Sequence, residues 1–373
     1  MAFNIKCKNT AKVTSVRERM KRIVVVTSDV PFVEGGHLTI ARNTVHALRE
    51  YGYEADLVLT PQNRFGRQFS AYLANYLTDV REDGIGRKIH QVISFRFPSF
   101  AVRHPFHVCW LNHRMREYYD VWEYLTSQLS LKGKLKEHTR RTLIRTIDTY
   151  LLKHNVSKVF AQSETIQQRL KRWGNISSDV LYPPPPNKAY RTDSYDNFIF
   201  AISRLQRLKR LDLFVEAFRY VQNKELRGII IGEGPEKENL LDLIKKNNLE
   251  NRIILIGNAS ENIVIDHYAK CLAVFFAPLR EDYGFVTGEA FACRKSVITT
   301  PDSGGPSELV ENGRTGYIVD ADPKKIAKQF DQLVEDKNLA EKMGKQAYDF
   351  ITQITWEKTI EKLIIVKRKY STK

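Results

Sequence analysis

Apolar runs of strand length alternate with amphipathic helical patterns along most of this chain. Residues 22–28 and 54–60 are apolar runs on either side of a pattern whose apolar side chains recur every three or four residues. Further strand-like runs occur near residues 199, 228, 253, 272 and 296, each followed by a helical pattern. Strands that alternate with helices form parallel sheets covered by those helices. We therefore predict an α/β protein.

A proline run, Tyr182-Pro-Pro-Pro-Pro-Asn187, separates the two halves of the chain. Consecutive prolines fix φ, exclude a helix and favour an extended spacer. A length of 373 residues is sufficient for about two domains, each with its own core. We predict a flexible extension over residues 1–19, an N-terminal domain over 20–186, a C-terminal domain over 187–355, and an amphipathic helix within 356–373.

The segment that says most about function covers residues 277–292 and carries Glu281 and Glu289, eight residues apart. A strand-like run precedes the segment and a helical pattern begins within it, so the acids bracket a glycine-bearing loop between strand and helix. The first amides of such a helix have no partner within the helix, and the helix dipole favours an anion there. The amides concerned are those of Phe285, Val286 and Thr287.

Two carboxylates beside an anion site would repel a phosphate that touched them, whereas they could accept hydrogen bonds from hydroxyl groups. A ligand with both a phosphate and a polyol, such as a nucleotide sugar, satisfies both conditions. Taken alone, the segment also allows another interpretation, in which one or both acids cap the helix or lie in solvent.

Cations follow the strand predicted near residues 198–203, in the run Arg204-Leu-Gln-Arg-Leu-Lys-Arg210. The carboxyl ends of parallel strands are where such sheets bind ligands. We predict that Arg204 and Lys209 bind a diphosphate and neutralise it as a leaving group without a metal ion. Arg207 and Arg210 are interpreted as surface charges. The alternative, a solvated basic helix start, is less favourable because cations there oppose the helix dipole.

The first predicted strand leads to Gly35 and Gly36 at the start of a helix. Adjacent glycines allow a backbone to approach a ligand closely, although a tight turn would explain them about equally well. The chain has no Gly-x-Gly-x-x-Gly motif, and Gly232-Glu-Gly-Pro235 lacks the third glycine. A dinucleotide-dependent oxidoreductase is therefore disfavoured.

Together these segments resemble glycosyltransferases of the GT-B fold, and specifically the retaining glycosyltransferase family 4, also called glycosyl transferases group 1. The resemblance covers about residues 20–320, with the segments in the family's order. It implies two Rossmann-like domains that face a central cleft, and a C-terminal helix that crosses back to the first domain. The segments are Pro31-Phe-Val-Glu-Gly-Gly36, Ser203-Arg-Leu with Lys209, Glu281-Asp-Tyr-Gly-Phe-Val-Thr-Gly-Glu289, and Asp302-Ser-Gly-Gly-Pro-Ser-Glu-Leu-Val310 followed by Asn312-Gly-Arg-Thr-Gly316.

The resemblance implies roles for individual residues. Arg204 and Lys209 would hold the donor diphosphate. Glu289 would accept hydrogen bonds from the ribose, and Glu281 would contact the donor sugar at the reacting centre. The amides of Phe285, Val286 and Thr287 would assist the two cations.

Other positions follow from the same resemblance. Gly36 would lie near the phosphate and Gly35 on the acceptor side, while Gly257 and Asn258 are candidates for contact with the base. His113 lies where the family often places a histidine beside the donor sugar. The surrounding residues depart from the usual pattern, so a structural histidine remains the alternative.

The implied reaction moves a hexosyl group from a UDP or GDP sugar to a hydroxyl of a glycan or lipid-linked acceptor, with retention, in polysaccharide or glycolipid synthesis. Glu281 would stabilise positive charge on the sugar ring, and neither a metal ion nor another cofactor is expected. A retaining hydrolase needs two carboxylates beside one bond. Because Glu289 is assigned to the ribose, a hydrolase is disfavoured.

Positive charge is concentrated in the predicted acceptor domain. Residues 1–186 carry 29 Lys and Arg against 16 Asp and Glu, whereas residues 187–373 carry 30 against 27. Basic residues cluster at positions 132–145, and residues 169–173 add a second basic and aromatic cluster. These clusters could dock on anionic lipid that presents the acceptor, or they could simply be solvated.

The four cysteines lack Cys-x-x-Cys or metal-binding spacing, which suits a reducing cytoplasm. The longest apolar run, residues 271–279, is too short to cross a bilayer. We expect a cytoplasmic protein or one that is peripheral on the inner membrane face.

Two alternatives come from other functional classes. The net charge of +16 would suit nucleic-acid binding. Zinc-finger spacing and RNA-binding signatures are missing from the sequence, so no nucleic acid partner is expected. An inactive scaffold of the same fold that binds sugar nucleotides is the second alternative, although Glu281, Glu289, Arg204 and Lys209 are all present.

Overall fold

The computed structural model describes residues 21–366 except residues 31, 33, 34, 63–65 and 128. The predicted extension at 1–19, residues 367–373 and part of the first glycine-rich turn lie outside the described residues.

The first half of the chain forms a six-stranded parallel sheet. Its central strands have apolar side chains on both faces, because helices cover both sides of the sheet. Its strands are β1 (Arg22–Asp29), β2 (Glu54–Pro61), β3 (Gln91–Ser94), β4 (His107–Leu111), β5 (Lys158–Ala161) and β6 (Asp179–Val180), in the order β2-β1-β3-β4-β5-β6. Its helices are α1 (Gly36–Glu50), α2 (Gln68–Leu77), α3 (Trp122–Ser127), α4 (Leu131–His154) and α5 (Glu164–Arg172).

The second half forms another six-stranded parallel sheet with its own core, in which Phe214, Phe275 and Phe330 pack together. Its strands are β7 (Phe198–Ile202), β8 (Arg227–Ile231), β9 (Ile253–Gly257), β10 (Ala273–Phe275), β11 (Val297–Thr299) and β12 (Gly316–Ile318), in the order β12-β11-β10-β7-β8-β9. Its helices are α6 (Leu211–Phe218), α7 (Lys237–Lys246), α8 (Glu261–Lys270), α9 (Phe285–Ala292), α10 (Gly305–Leu309), α11 (Pro323–Glu335) and α12 (Lys337–Ile351). The α/β prediction is confirmed.

The last helix, α13 (Trp356–Leu363), packs against the first sheet rather than the second. Ile360 and Leu363 join the buried cluster that contains Ile23. Gln91 fixes the end of the helix, because its Nε2 donates to the carbonyl of Leu363 at 2.7 Å. The chain therefore returns to the first sheet after completing the second. In the described part of the chain, every helix is too short or too polar to cross a membrane.

Candidate active site

Each sheet has a point where the strand order reverses, and the loops at these two points carry most of the predicted site residues. In the second sheet β7 lies between β8 and β10, so the loops after β7 and β10 diverge and leave a crevice. In the first sheet β1 lies between β2 and β3, which leaves an equivalent crevice. A Cβ added to Gly36, in the first crevice, would lie 3.1 Å from the ring of Phe285, in the second. The two crevices therefore face each other.

The backbone of Glu281 is held by the loop that follows β11. Its N–H donates to the carbonyl of Ser303 at 2.7 Å, and its carbonyl accepts from the N–H of Gly305 at 3.1 Å. Gly304 has a φ of 76°, and a Cβ there would lie 2.4 Å from the Glu281 carbonyl oxygen. Only glycine tolerates both this conformation and this approach. The loop thus fixes Glu281 at the carboxyl end of β10.

The side chains of Lys209 and Glu281 form an ion pair. Nζ of Lys209 donates to Oε2 of Glu281 at 2.6 Å and lies 5.7 Å from the ring centre of Phe276. The sequence-based roles separate the two residues, one at the diphosphate and the other at the sugar. Their contact indicates that these two parts of a donor would meet at one point. An ammonium group has three N–H donors, so Lys209 could keep this bond and still donate to a phosphate.

Arg204 is exposed in the second crevice and has neither a hydrogen-bond acceptor nor an ion-pair partner for its side chain among the described residues. Its backbone position is set by close contact with the segment that begins at Gly232. A Cβ on Gly232 would lie 1.9 Å from the carbonyl oxygen of Ser203, and one on Gly234 would lie 2.4 Å from that of Leu205. These glycines therefore let the chain approach closely enough to present Arg204 to the crevice.

The prediction that Arg210 is a surface charge is wrong. Arg210 precedes α6 with a φ of 50°, and its side chain turns inward. The guanidinium donates to the carbonyls of Ala277 at 2.7 Å and Pro278 at 3.1 Å, and to the carboxylate of Asp302. It thus ties the end of β10 to the loop that holds Glu281. Arg207 is exposed.

The start of α9 presents free amides to the same crevice. Gly284 is the N-cap residue, and the helix has no side-chain cap. The amides of Phe285 and Val286 have no acceptor within the described residues, whereas the amide of Thr287 donates to the Gly284 carbonyl at 3.1 Å. Two of the three predicted amides are therefore available to an anion, which the helix dipole would also favour.

Glu289 is buried, with 8% of its surface exposed, and both of its oxygens are engaged. Oε1 accepts from Nζ of Lys188 at 2.7 Å, and Oε2 accepts from the hydroxyl of Tyr268 at 3.2 Å. Burial lowers the pKa of Lys188, but Glu289 and Glu261 together raise it above its ordinary value. A ribose at Glu289 would have to share or replace these contacts. Lys188 was not predicted, because a single lysine after the proline run carries no motif.

The two candidates for base contact lie at the end of β9. Gly257 has a φ of 85°, and a Cβ there would lie 2.7 Å from Oε1 of Glu233. Asn258 is exposed beside it. The Gly257 carbonyl accepts from the N–H of Gly232 at 2.8 Å, so this strand end also supports the loop that presents Arg204.

His113 follows β4 in a loop of the first sheet. Its Nδ1 lies 2.8 Å from the carbonyl of Arg114. Because a carbonyl only accepts, Nδ1 carries the proton and Nε2 is left as an acceptor. Burial, reinforced by Arg96, lowers the pKa of His113 well below its ordinary range. The neutral ring can therefore accept a hydrogen bond from a hydroxyl, but it adds no charge.

The first crevice contains two further residues, His37 and Arg96, that were not predicted. His37 lies in the first turn of α1, beside Gly35 and Gly36. Arg96 lies two residues after β3. No motif marks either residue, and only the strand order places them together.

Ionic contacts join the loops of the two sheets. Arg116 and Arg169, from the first half, contact Asp120 at 2.8 Å and 3.0 Å. Both also contact Asp282, which follows Glu281 in the second half. Burial opposes the charge of Arg116, but the carboxylates of Asp282 and Asp120 raise its pKa. This network holds the Glu281 loop against the first sheet.

Within the described residues, the structure has no group of three or more His, Cys, Asp or Glu side chains arranged to hold a metal ion.

Residues 187–350 match the family described as Glycosyl transferases group 1. The second half of the chain is therefore similar to the glycosyl transferases group 1 family. This finding confirms the resemblance carried by the segments around Arg204, Glu281 and Gly304.

Two curated relatives agree with this match. The chain is 30% identical over 170 residues to N-acetyl-alpha-D-glucosaminyl L-malate synthase of Bacillus anthracis, covering 44% of this chain and 43% of that protein. It is 34% identical over 127 residues to N-acetylgalactosamine-N,N'-diacetylbacillosaminyl-diphospho-undecaprenol 4-alpha-N-acetylgalactosaminyltransferase of Campylobacter jejuni, covering 34% of each chain. The chain therefore spans less than half the length of either relative.

Solved structures share the fold across nearly the whole chain. Sucrose-phosphate synthase from Thermosynechococcus elongatus superposes with a TM-score of 0.72 at 14% identity, covering 92% of this chain and 97% of that chain. HepE from Anabaena in complex with UDP-glucose gives a TM-score of 0.67 at 16% identity, covering 91% and 98%. The predicted GT-B fold is confirmed.

Proposed function

We propose that this chain is a retaining glycosyltransferase that moves a hexosyl group from a nucleoside-diphosphate sugar to a hydroxyl of a glycan or lipid-linked acceptor. One observation carries the proposal. Arg204, Lys209, Glu281 and the free amides at the start of α9 converge where the strand order of the second sheet reverses. This set offers cations and N–H groups to a diphosphate and a carboxylate to sugar hydroxyls.

The positive groups of the second crevice are explained by the need to stabilise the leaving diphosphate. Bond cleavage places negative charge on the departing phosphate oxygen, and fixed donors lower the barrier if they are in place beforehand. Arg204 has no competing partner in the part of the chain that the structure describes, and Lys209 has two donors to spare. The amides of Phe285 and Val286 add neutral donors aligned with the helix dipole. These residues would stabilise the leaving group without a metal ion.

The sugar accounts for Glu281 and His113. Glu281 is held rigidly through its backbone and would accept from sugar hydroxyls while stabilising positive charge that develops on the ring. The neutral His113 could accept from a further hydroxyl through Nε2. Retention would follow from attack of the acceptor on the face from which the phosphate leaves, with the phosphate oxygen taking the acceptor proton.

Similar proteins support the class of donor and acceptor. HepE is in complex with UDP-glucose, and a mutant of TarM from S. aureus is in complex with UDP, Fondaparinux and alpha-GlcNAc-glycerol. The Campylobacter jejuni relative is a diphospho-undecaprenol glycosyltransferase by name. We propose a UDP or GDP sugar as donor, with a role in polysaccharide or glycolipid synthesis.

The N-terminal end of α4 is the part of the basic half best suited to a membrane surface. Leu131 and Leu135 are 85% and 72% exposed, and the lysines between and beside them are exposed as well. Apolar side chains flanked by lysines fit an anionic lipid surface. We propose that this end brings the protein to a lipid-linked acceptor in the cytoplasmic leaflet. The lysines are Lys132, Lys134 and Lys136.

Several cations predicted for this contact are engaged elsewhere. The Nε atoms of Arg141 and Arg145 donate to the Tyr118 carbonyl at 3.0 Å and 2.9 Å, and Arg140 pairs with Glu137. Arg169 belongs to the network around Asp282. The cations of the two clusters that remain exposed are the three lysines of α4, Lys171 and Arg172.

A screen of nucleotide sugars tests the proposal. The wild-type protein is incubated with UDP and GDP sugars, and release of the nucleoside diphosphate is measured with and without a polyprenyl-linked or glycan acceptor. NMR of the product then gives the anomeric configuration. We expect one donor class to be consumed with retention. Consumption with inversion would contradict the retaining mechanism, and consumption of no donor would contradict the proposed activity.

A further inference from the structure

The crevice of the first sheet has a positive group whose counter-ion is missing from the described residues. The crevice lies between the ends of β1 and β3, where the strand order reverses. His37 and the start of α1 line one side, and Arg96 lines the other. Across the cleft lies Arg204, which is near enough to act electrostatically on both His37 and Arg96.

The position of Arg96 is fixed by its own backbone. Its N–H donates to Oγ of Ser99 at 3.2 Å, and its carbonyl accepts from the N–H of Ser99 at 2.7 Å. The next carbonyl, that of Phe97, accepts from Oγ of Ser28 at 2.6 Å. These contacts fix the backbone of Arg96 between Ser99 and β1, so its side chain starts at the edge of the crevice.

The guanidinium itself lacks a partner in the described part of the chain. Its Nε is buried without an acceptor, and neither a hydrogen bond nor an ion pair links its side chain to another residue within the described residues. Asp282, Glu117 and Asp29 act on it only at longer range. Asp282 is bound to Arg169, and Asp29 accepts from the N–H of Val30 at 2.8 Å. Burial lowers the pKa of Arg96 to about 10, but at neutral pH it stays charged. A buried cation without a partner costs folding free energy.

The start of α1 adds further donors beside Arg96. The amides of Gly36 and His37 have no acceptor among the described residues, and the first turn has neither a side-chain cap nor an acidic residue. Nε2 of His37 is buried without a hydrogen-bond partner and lies 3.7 Å from Oδ1 of Asp29. Burial and Arg96 lower the pKa of His37 to about 4, so the ring is neutral. The charge of this crevice therefore comes from the arginines.

We propose that Arg96, with the free amide of His37, binds a phosphate group on the acceptor. The inference rests on the proposed glycosyltransferase function and adds the chemical class of its acceptor. The cations proposed for the donor diphosphate lie on the second sheet, whereas Arg96 lies on the first. An acceptor without the phosphate would leave Arg96 unpaired, and the cost of an unpaired cation in the site selects against neutral acceptors.

Binding of sn-glycerol 1-phosphate tests the proposal, and glycerol is the uncharged control ligand. Calorimetry is carried out at saturating UDP or GDP, so that the donor site is filled. We expect the phosphate probe to bind wild-type protein and glycerol not to bind. Arg96→Gln should weaken the probe about tenfold or more, since a charge-assisted pair is lost, and Arg96→Lys should weaken it less. Arg103→Gln, an exposed arginine beside Tyr76, is the matched control and should bind like the wild type.

Different failures have different meanings. If the nucleoside diphosphate binds but the phosphate probe does not, the anionic acceptor is overturned and the proposed function stands. If Arg96→Gln weakens nucleoside-diphosphate binding as much as Lys209→Ala does, Arg96 is a donor ligand and the inference is wrong. If neither ligand binds wild-type protein, both proposals fail. Should Arg96→Gln not fold, the comparison of Arg96→Lys with the wild type decides, because a shorter reach to the anion must still weaken the probe.

Discussion

The two facing crevices differ in how their charges are satisfied. In the second sheet Lys209 is paired with Glu281 and Lys188 with Glu289, so most of the charged groups have partners without a ligand. In the first sheet Arg96 and His37 have buried nitrogen atoms that find no hydrogen-bond partner among the described residues. A paired site keeps its geometry before the substrate arrives, whereas an unpaired site gains most from an oppositely charged ligand. The second crevice is therefore suited to bind the donor in a preformed site. The first crevice is suited to select the acceptor by its charge.

Glu281→Ala should have the largest effect. Loss of the carboxylate at the reacting centre should lower kcat by about 10³-fold, the size seen when one electrostatic group is removed from an active site. The loss of kcat is measured by steady-state kinetics, with the donor that the nucleotide-sugar screen identifies. Binding of the nucleoside diphosphate should be unchanged or tighter, because Lys209 loses its competing partner.

Glu281→Gln serves as the control, since it keeps the shape and hydrogen bonding but removes the charge. Near-normal turnover of Glu281→Ala would show that the Lys209–Glu281 pair is structural and that the chemistry lies elsewhere.

Gly304→Ala should disturb the loop that holds Glu281 in the second crevice. The added Cβ would lie 2.4 Å from the Glu281 carbonyl oxygen at a φ of 76°, so the loop must shift. We expect a loss of about 3 kcal/mol in the free energy of unfolding, measured with urea, together with lower kcat. Gly313→Ala is a matched control, because its φ is 77° with no atom within 4 Å of the added Cβ. Equal effects of the two variants would mean that backbone strain alone matters and that Gly304 does not hold Glu281.

His37→Gln tests the difference between the two crevices through the pH dependence of stability. The pKa of folded His37 is about 4, below the ordinary 6.5, so the unfolded chain takes up the proton first as the pH falls. Stability from the neutral ring is therefore complete above pH 6.5 and is lost between pH 6.5 and 4. Between pH 7 and 5 the wild type should lose about 2 kcal/mol more than His37→Gln in urea unfolding. Parallel pH dependence of the two proteins would contradict a buried, neutral His37.

Lys209→Ala should have the smallest effect of the four, because Arg204 and the α9 amides remain. Loss of one cation at the diphosphate should weaken nucleoside-diphosphate binding about tenfold in calorimetry. Arg207→Ala, which removes an exposed cation two residues away, should bind normally. If both variants weaken binding equally, the effect is a general charge effect rather than a contact with the diphosphate.

Much of the fold could be predicted from local patterns. The run at residues 22–28 lies in β1 (Arg22–Asp29), and the C-terminal pattern lies over α13 (Trp356–Leu363), because apolar periodicity reflects which side chains face a core. The GT-B fold followed from four short segments in the family's order. These features depend on residues that are close in sequence, so they can be predicted from the sequence.

The candidate site was only partly predictable, for physical reasons. Arg210 was misassigned because its direction depends on a left-handed backbone conformation that its residue type does not signal. Lys188, His37 and Arg96 come from three separate segments and meet their neighbours only through the strand order and the approach of the two sheets. The pairing of Lys209 with Glu281 likewise depends on side chains 72 positions apart.

Titration of the wild-type protein with UDP, GDP and duplex DNA at moderate salt is the most direct test of the central claim, that the second crevice binds a nucleotide-sugar donor. We predict saturable binding of UDP or GDP at a single site, with no comparable binding of DNA. Tight DNA binding without binding of either nucleotide would contradict the claim.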